Sequence, residues 1–187
     1  RKPAGCPLLR LGKPMDLILT KMSSIDKLSL MQLSSQEEYG LRCLLRVAQE
    51  EGAEETVTIA LIARLEGISH EYVARLMAPL KKAGLVSATR GARGGYRLSR
   101  PASEISVWDA IAALGGPFFR ADFCDCHPGR KRQCVRSTDC SIRALWRRAD
   151  QQLRDLFGAI SLADLDQPES GMVIRLDAIA GRRDTAV

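Results

Sequence analysis

A mainly helical chain with one small β-hairpin and a long helix near its C-terminus is the fold class this sequence predicts. Apolar residues recur at helical spacing in successive stretches between Ser35 and Leu114, several of them opened by a Ser or Thr that can cap a helix. Only Leu85–Leu98 reads as two short strands around a glycine-rich turn. From Cys140 onward, Ile142, Trp146, Ala149, Leu153, Leu156 and Ile160 alternate four and three residues apart, the pattern of a coiled-coil seam.

At 187 residues the chain can hold one ordinary domain and an appendage. Lys and Arg number 28 against 22 Asp and Glu, a net +6, which suits a polyanionic partner if the charge lies on a reading surface. No apolar run approaches the roughly 18 residues of a membrane span, and Leu8–Leu11 and Leu17–Leu19 are too short for a signal-peptide core. A cytoplasmic protein is therefore expected, where thiols stay reduced and a cysteine cluster means metal or redox chemistry. No Ser-His-Asp set, phosphate loop or acid/base carboxylate pair stands out, so neither an enzyme nor a small-molecule substrate is expected.

Residues 1–30 carry scattered Pro and Gly and read as a poorly ordered N-terminal extension, or alternatively a short arm. The first domain is expected over 31–117. Ser35 with Glu38 has capping-box spacing, and Tyr39, Cys43, Leu44, Val47 and Ala48 form an inward face on which Cys43 is a buried, inert thiol. Thr58 caps a second helix with Ile59, Ile62, Ala63 and Leu65 inward. After the Gly67-Ile68-Ser69 turn, Ser69 caps a third, with Val73, Leu76, Met77 and Leu80 inside and His70, Glu71, Ala74 and Arg75 outside. Two helices joined by a short glycine turn are the helix-turn-helix arrangement, whose second helix enters the DNA major groove. Pro79 predicts that this helix kinks or ends near Ala78 and then resumes as a short turn through Lys82.

The following hairpin makes the assignment specific. Strands Leu85–Thr89 and Tyr96–Leu98 flank the turn Arg90-Gly91-Ala92-Arg93-Gly94-Gly95, so Arg90 and Arg93 sit at the tip with Arg97 close behind. Such a cationic tip fits a minor groove or its flanking phosphates; the plain alternative is a solvated basic turn. Together these elements predict a winged helix-turn-helix. Ser106 with Asp109 then caps a helix stopped by Gly115-Gly116-Pro117.

Residues 118–140 form a cysteine-rich loop with the spacing Cys124-x-Cys126-x7-Cys134-x5-Cys140 and His127 adjacent. Paired Cys-x2-Cys knuckles and redox Cys-x-x-Cys motifs are both absent. Thiolates spread over a loop suit an iron–sulfur cluster, [2Fe-2S] or [4Fe-4S], and zinc is the alternative. Cys140 falls at the first turn of the long helix, where Thr138 or Asp139 can cap and the helix dipole favours a thiolate. Arg130, Lys131, Arg132 and Arg136 would offset cluster charge. Residues 141–163 are expected to be a dimerisation helix, with Ile142, Trp146, Ala149, Leu153, Leu156 and Ile160 on its seam, and 164–187 a flexible tail.

The segments MQLSSQEEYGLRCLL, ISHEYVARLMAPLKKAGLV, RGARGGYRLSRP and CHPGRKRQCVRSTDCSIRALW resemble the Rrf-type family of bacterial winged-helix regulators, which includes IscR-, NsrR- and RirA-like members. That resemblance covers Met31 to about Asp166. It implies a homodimer on a palindromic operator, sensing iron, redox state or nitric oxide through an iron–sulfur cluster. Its ligands would fall on Cys134, Cys140 and one or both of Cys124 and Cys126. An IscR-type histidine ligand is replaced here by Arg143, leaving His127, the spare cysteine or a partner's acidic residue as the fourth ligand. Base-reading positions fall on Glu71, Ala74 and Arg75, and the wing arginine on Arg90. The alternatives are a regulator of the same fold whose loop binds structural zinc or senses thiol oxidation, and an iron–sulfur redox or carrier protein.

Overall fold

The computed structural model describes residues 33–50, 56–89, 91, 94–119, 122–126 and 133–184, with the backbone alone for Cys126 and 181–184. Two compact units emerge: Leu33–Pro117 with Ala149 onward, and Phe118–Arg148.

In the larger unit, α1 (Ser35–Glu50) is capped by Ser34 rather than Ser35. The Ser34 N–H donates to Glu37 Oε2 at 2.8 Å, and the Ser34 hydroxyl accepts from the Glu37 N–H at 3.3 Å. Two capping boxes overlap in the run SSQEE and only one can form. The earlier one also lets the Ser34 carbonyl take the Glu38 N–H at 3.0 Å, closing one more helical turn bond. Gly40 is buried against Leu114, whose side chain would stand 2.5 Å from a Cβ at that position.

Thr58 and Ser69 cap α2 (Ile59–Glu66) and α3 (His70–Lys82), accepting from the Leu61 and Tyr72 N–H groups at 3.1 and 3.2 Å. Gly67 between them is left-handed at φ 67°, which makes the tight turn. Leu65 is 41% exposed, since Ile62 and Ala63 fill the inward positions before the chain turns. Helix α3 runs through Pro79 to Lys82 and does not end near Ala78. The Ala83 N–H still reaches the Pro79 carbonyl at 2.9 Å, and Met77 and Leu80 are fully buried on either side of it. That packing offsets the one hydrogen bond the proline removes.

Strands β1 (Val86–Thr89) and β2 (Gly95–Leu98) pair antiparallel in the register Val86 to Leu98 and Thr89 to Gly95. Val57, just before α2, exchanges two backbone hydrogen bonds with Tyr96 at 2.7 and 2.8 Å and so ties the hairpin root to the helix-turn-helix. Ser106 and Asp109 form the expected capping box on α4 (Val107–Leu114). The core gathers Leu44, Val47, Ile62, Leu76, Met77 and Leu80, among others.

The smaller unit contains α5 (Phe123–Cys126) and the first half of α6 (Ser141–Gly158). Cys140 itself, not Thr138 or Asp139, occupies the cap: its carbonyl accepts the Ala144 N–H at 3.1 Å and its sulfur the Arg143 N–H at 3.4 Å. Phe119 and Phe123 pack with ring centroids 5.5 Å apart.

Back in the larger unit, α6 ends at Gly158, and residues 160–162 run beside the start of α4. The Val107 N–H donates to the Ile160 carbonyl at 2.9 Å and the Leu162 N–H to the Ile105 carbonyl at 2.7 Å. Ile160 is thereby buried with Val107, Ile111 and Ile179 in the chain's own second core, so it does not lie on a helical seam. The tail expected to be flexible instead forms α7 (Glu169–Asp184). Ile179 anchors it in that core, and Arg175 pairs with Asp164 at 2.7 Å. Burial opposes ionisation of Asp164, but the Ser161 N–H and hydroxyl and the Arg175 guanidinium hold its carboxyl below the usual range.

Candidate nucleic-acid interface and thiol site

Helix α3 turns Val73, Leu76, Met77 and Leu80 into the core and leaves Ser69, His70, Glu71 and Arg75 exposed, with Ala74 half-buried beside them. The Ser69 hydroxyl is engaged as the cap. The Glu71 carboxyl is held below its usual range by its own backbone N–H, then by Ser69 and by the neighbouring His70. Arg75 lays its guanidinium over the Tyr72 ring, 4.8 Å from the centroid. Tyr72 meets Tyr39 of α1 edge to face at 5.8 Å, and Arg42 stands 5.1 Å over Tyr39. Arg42 and Arg46 both bond Glu66 at 2.9 Å, which raises the Arg42 pKa. Sequence reasoning missed Tyr72 as a support. A Tyr three residues before an Arg on one helix was the available signal.

The hairpin stands next to this surface. A cleft of about 440 Å³ is lined by Thr58, Ile59 and Ala60 at the start of α2, by His70, and by Thr89 and Tyr96 of the strands. Arg97 is exposed on β2 and donates to the Ser87 hydroxyl of β1 at 3.2 Å. Arg90 and Arg93 lie outside the described residues. Arg100 has a structural role, bonding the Glu104 carbonyl and Asp109.

In the cysteine segment, Cys124, Cys134 and Cys140 are free thiols of intermediate exposure. The turn between the last two is closed by the Ser137 N–H on the Cys134 carbonyl at 3.0 Å, and Arg143 donates from Nη1 to the Ser137 carbonyl at 2.9 Å. Arg143 therefore braces this turn. The donor chemistry fits a thiolate-held centre, with Cys140 at the positive end of an 18-residue helix. Among the described residues no three His, Cys, Asp or Glu side chains converge as a metal site. The side chain of Cys126, together with His127, Arg130, Lys131 and Arg132, lies outside that description. Cys43 is a different kind of thiol: fully buried in the core, its pKa is pushed up to about 11 by desolvation and then by Glu66.

Of the expected seam, Ile142 and Trp146 are exposed, as is Leu145 beside them, while Ala149, Leu153 and Leu156 are half-buried. Among the described residues no helix is long and apolar enough to cross a membrane.

A helix-turn-helix whose second helix exposes polar side chains, followed by a β-hairpin tied to its root, defines a winged-helix DNA-binding protein. The chain belongs to the Rrf2 family: the family model described as an iron-dependent transcriptional regulator matches residues 33–168. It is 35% identical over 135 residues to protein rrf2 of Nitratidesulfovibrio vulgaris, covering 72% of this chain and 87% of that one. It is 36% identical to the HTH-type transcriptional regulator IscR of Vibrio atlanticus, covering 72% and 75%. Among solved structures it is similar to CymR, the global cysteine regulator of B. subtilis, with TM-score 0.58 and 27% identity over 72% of this chain and 95% of that one. These relatives are transcriptional regulators and not enzymes, so the chain is a transcriptional regulator of the same fold.

Proposed function

We propose that this regulator binds a palindromic operator as a homodimer and senses iron, redox state or nitric oxide through an iron–sulfur cluster. Cys134 and Cys140, with one or both of Cys124 and Cys126 and with His127 available, would hold the cluster, which when bound supplies a redox- and ligand-sensitive centre. Ser69, His70, Glu71, Ala74 and Arg75 would face the major groove, and Arg90, Arg93 and Arg97 the backbone or minor groove. Such a protein works in the cytoplasm, on DNA.

The observation that carries the reading is the position of Cys140. Its sulfur caps α6 by accepting the Arg143 N–H. Whatever binds that sulfur competes for the first turn of a helix that also exposes Ile142, Leu145 and Trp146. A ligand bound there can bias the helix start, and with it the spacing of two reading heads, through different affinity for the two arrangements.

A second reading has its own support. The free, part-exposed Cys124, Cys134 and Cys140 do not converge among the described residues, and a structural relative is a cysteine regulator. In that reading the loop binds structural zinc or senses thiol oxidation. Anaerobic purification separates the two. A brown protein with visible charge-transfer absorption and matching iron and sulfide is expected. A colourless protein with stoichiometric zinc, or with none and a reversible disulfide, would replace the cluster reading. An iron–sulfur carrier is disfavoured by membership of a regulator family.

A further inference from the structure

We propose that Tyr72 is a positioning residue for DNA specificity: lying under Arg75 in a cation–π contact, it holds that guanidinium in the place needed to read a guanine in each half-site. The inference rests on α3 being the reading helix. Arg75 lies three residues after Tyr72, and helical side chains lean towards the N-terminus of their helix. The guanidinium is thus carried towards the end of α3 from which recognition helices contact base edges.

The stack determines what remains free. A guanidinium held over a ring by cation–π attraction commits none of its N–H donors to a hydrogen-bond acceptor. No hydrogen bond or ion pair is seen between Arg75 and another described residue, and Arg75 is exposed. An in-plane fork with free donors is the group that pairs with guanine O6 and N7. Arg42 presents the opposite case on the same rail of rings, because its Nε is taken by Glu66.

Tyr72 can hold Arg75 still because it is itself held. Its ring is half-buried and meets Tyr39 edge to face at 5.8 Å with a 71° interplanar angle. Tyr39 belongs to α1, so the position of Arg75 is referred to the core rather than to an exposed side chain alone. A pre-oriented arginine loses less freedom on binding than one that must be ordered by the DNA.

The test uses the full chain, a duplex selected from a random pool by the wild-type protein, and an unselected duplex at the same salt. Tyr72→Leu should lower affinity for the selected duplex about two- to fivefold, the scale of an exposed cation–π contact, and leave the unselected duplex unchanged. Tyr72→Phe, which keeps the ring, should match wild type. In an Arg75→Ala background, Tyr72→Leu should have no further effect. An equal loss in that background would overturn the proposal, because the ring would then act on DNA or on the fold by itself. If Arg75→Ala alone leaves selectivity intact, the reading role of Arg75 fails instead. Should Tyr72→Leu not fold, the wild-type protein still decides: ring current should shift the Arg75 side-chain protons upfield in its NMR spectrum, and unshifted protons would overturn the stack.

Discussion

Replacing Leu145 by Glu should convert the protein to monomers. Ile142, Leu145 and Trp146 share one side of α6 and are 53%, 62% and 39% exposed. Scaled by side-chain areas, they leave on the order of 300 Å² of apolar surface per protomer, about 600 Å² for a two-fold pair. At about 25 cal/mol per Å², pairing gains about 15 kcal/mol gross, against an association cost of about 4–15 kcal/mol. Leu145→Glu withdraws roughly 200 Å² over the pair, about 5 kcal/mol, before the cost of burying two carboxylates. Every 1.4 kcal/mol is tenfold, so the dimer dissociation constant should rise by roughly three to four orders of magnitude or more. Sedimentation velocity across a concentration series measures it, with circular dichroism confirming that α6 persists. A variant that sediments as wild type would move the interface off this face.

Three further expectations follow from other parts of the chain. Arg90→Ala and Arg93→Ala should each weaken binding on all DNAs and flatten the dependence of log affinity on log salt by about one phosphate contact; an unchanged slope in both would remove the hairpin tip from the interface. Stability should fall as pH rises from about 9 towards 11, because the unfolded Cys43 thiol ionises near 9.0 while the buried one keeps its proton to about 11. Cys43→Ala should abolish that component, about 2 kcal/mol between pH 8 and pH 10.5, in denaturant titrations at those two pH values; an identical pH dependence would place it on another group.

Much of the reading domain was legible because its signals are local and mutually consistent. Thr58, Ser69 and the Ser106–Asp109 box cap the helices that the sequence assigns to them, and Gly67 takes the left-handed turn. The differences arise where local signals tie or where distant packing decides. Ser34 and Ser35 offer equivalent boxes, and the bond from the Glu38 N–H to the Ser34 carbonyl favours Ser34. Pro79 carries a local penalty that burial of Met77 and Leu80 outweighs. Ile160 continues a heptad spacing, yet pairing of 160–162 with the start of α4 draws it into the core, and Ile179 from α7 joins it there. No short-range pattern announces either contact. In the thiol segment the spacing of cysteines was plain, but the bracing of the Cys134–Cys140 turn by Arg143 depends on a side chain folding back onto Ser137. Tyr72 was overlooked because aromatic residues at a helical i, i+3 spacing most often signal core packing.

In the proposed function, the state of the cysteine segment sets how the protein grips DNA. Operator binding by anaerobically purified wild type and by a Cys134→Ala/Cys140→Ala variant, compared on one selected duplex at one salt concentration, tests it most directly. The loaded wild type should bind more tightly, by about 1–3 kcal/mol or roughly 5- to 150-fold, the ordinary range for coupling between two sites. Superimposable binding curves would rule out the coupling and leave the segment a structural staple.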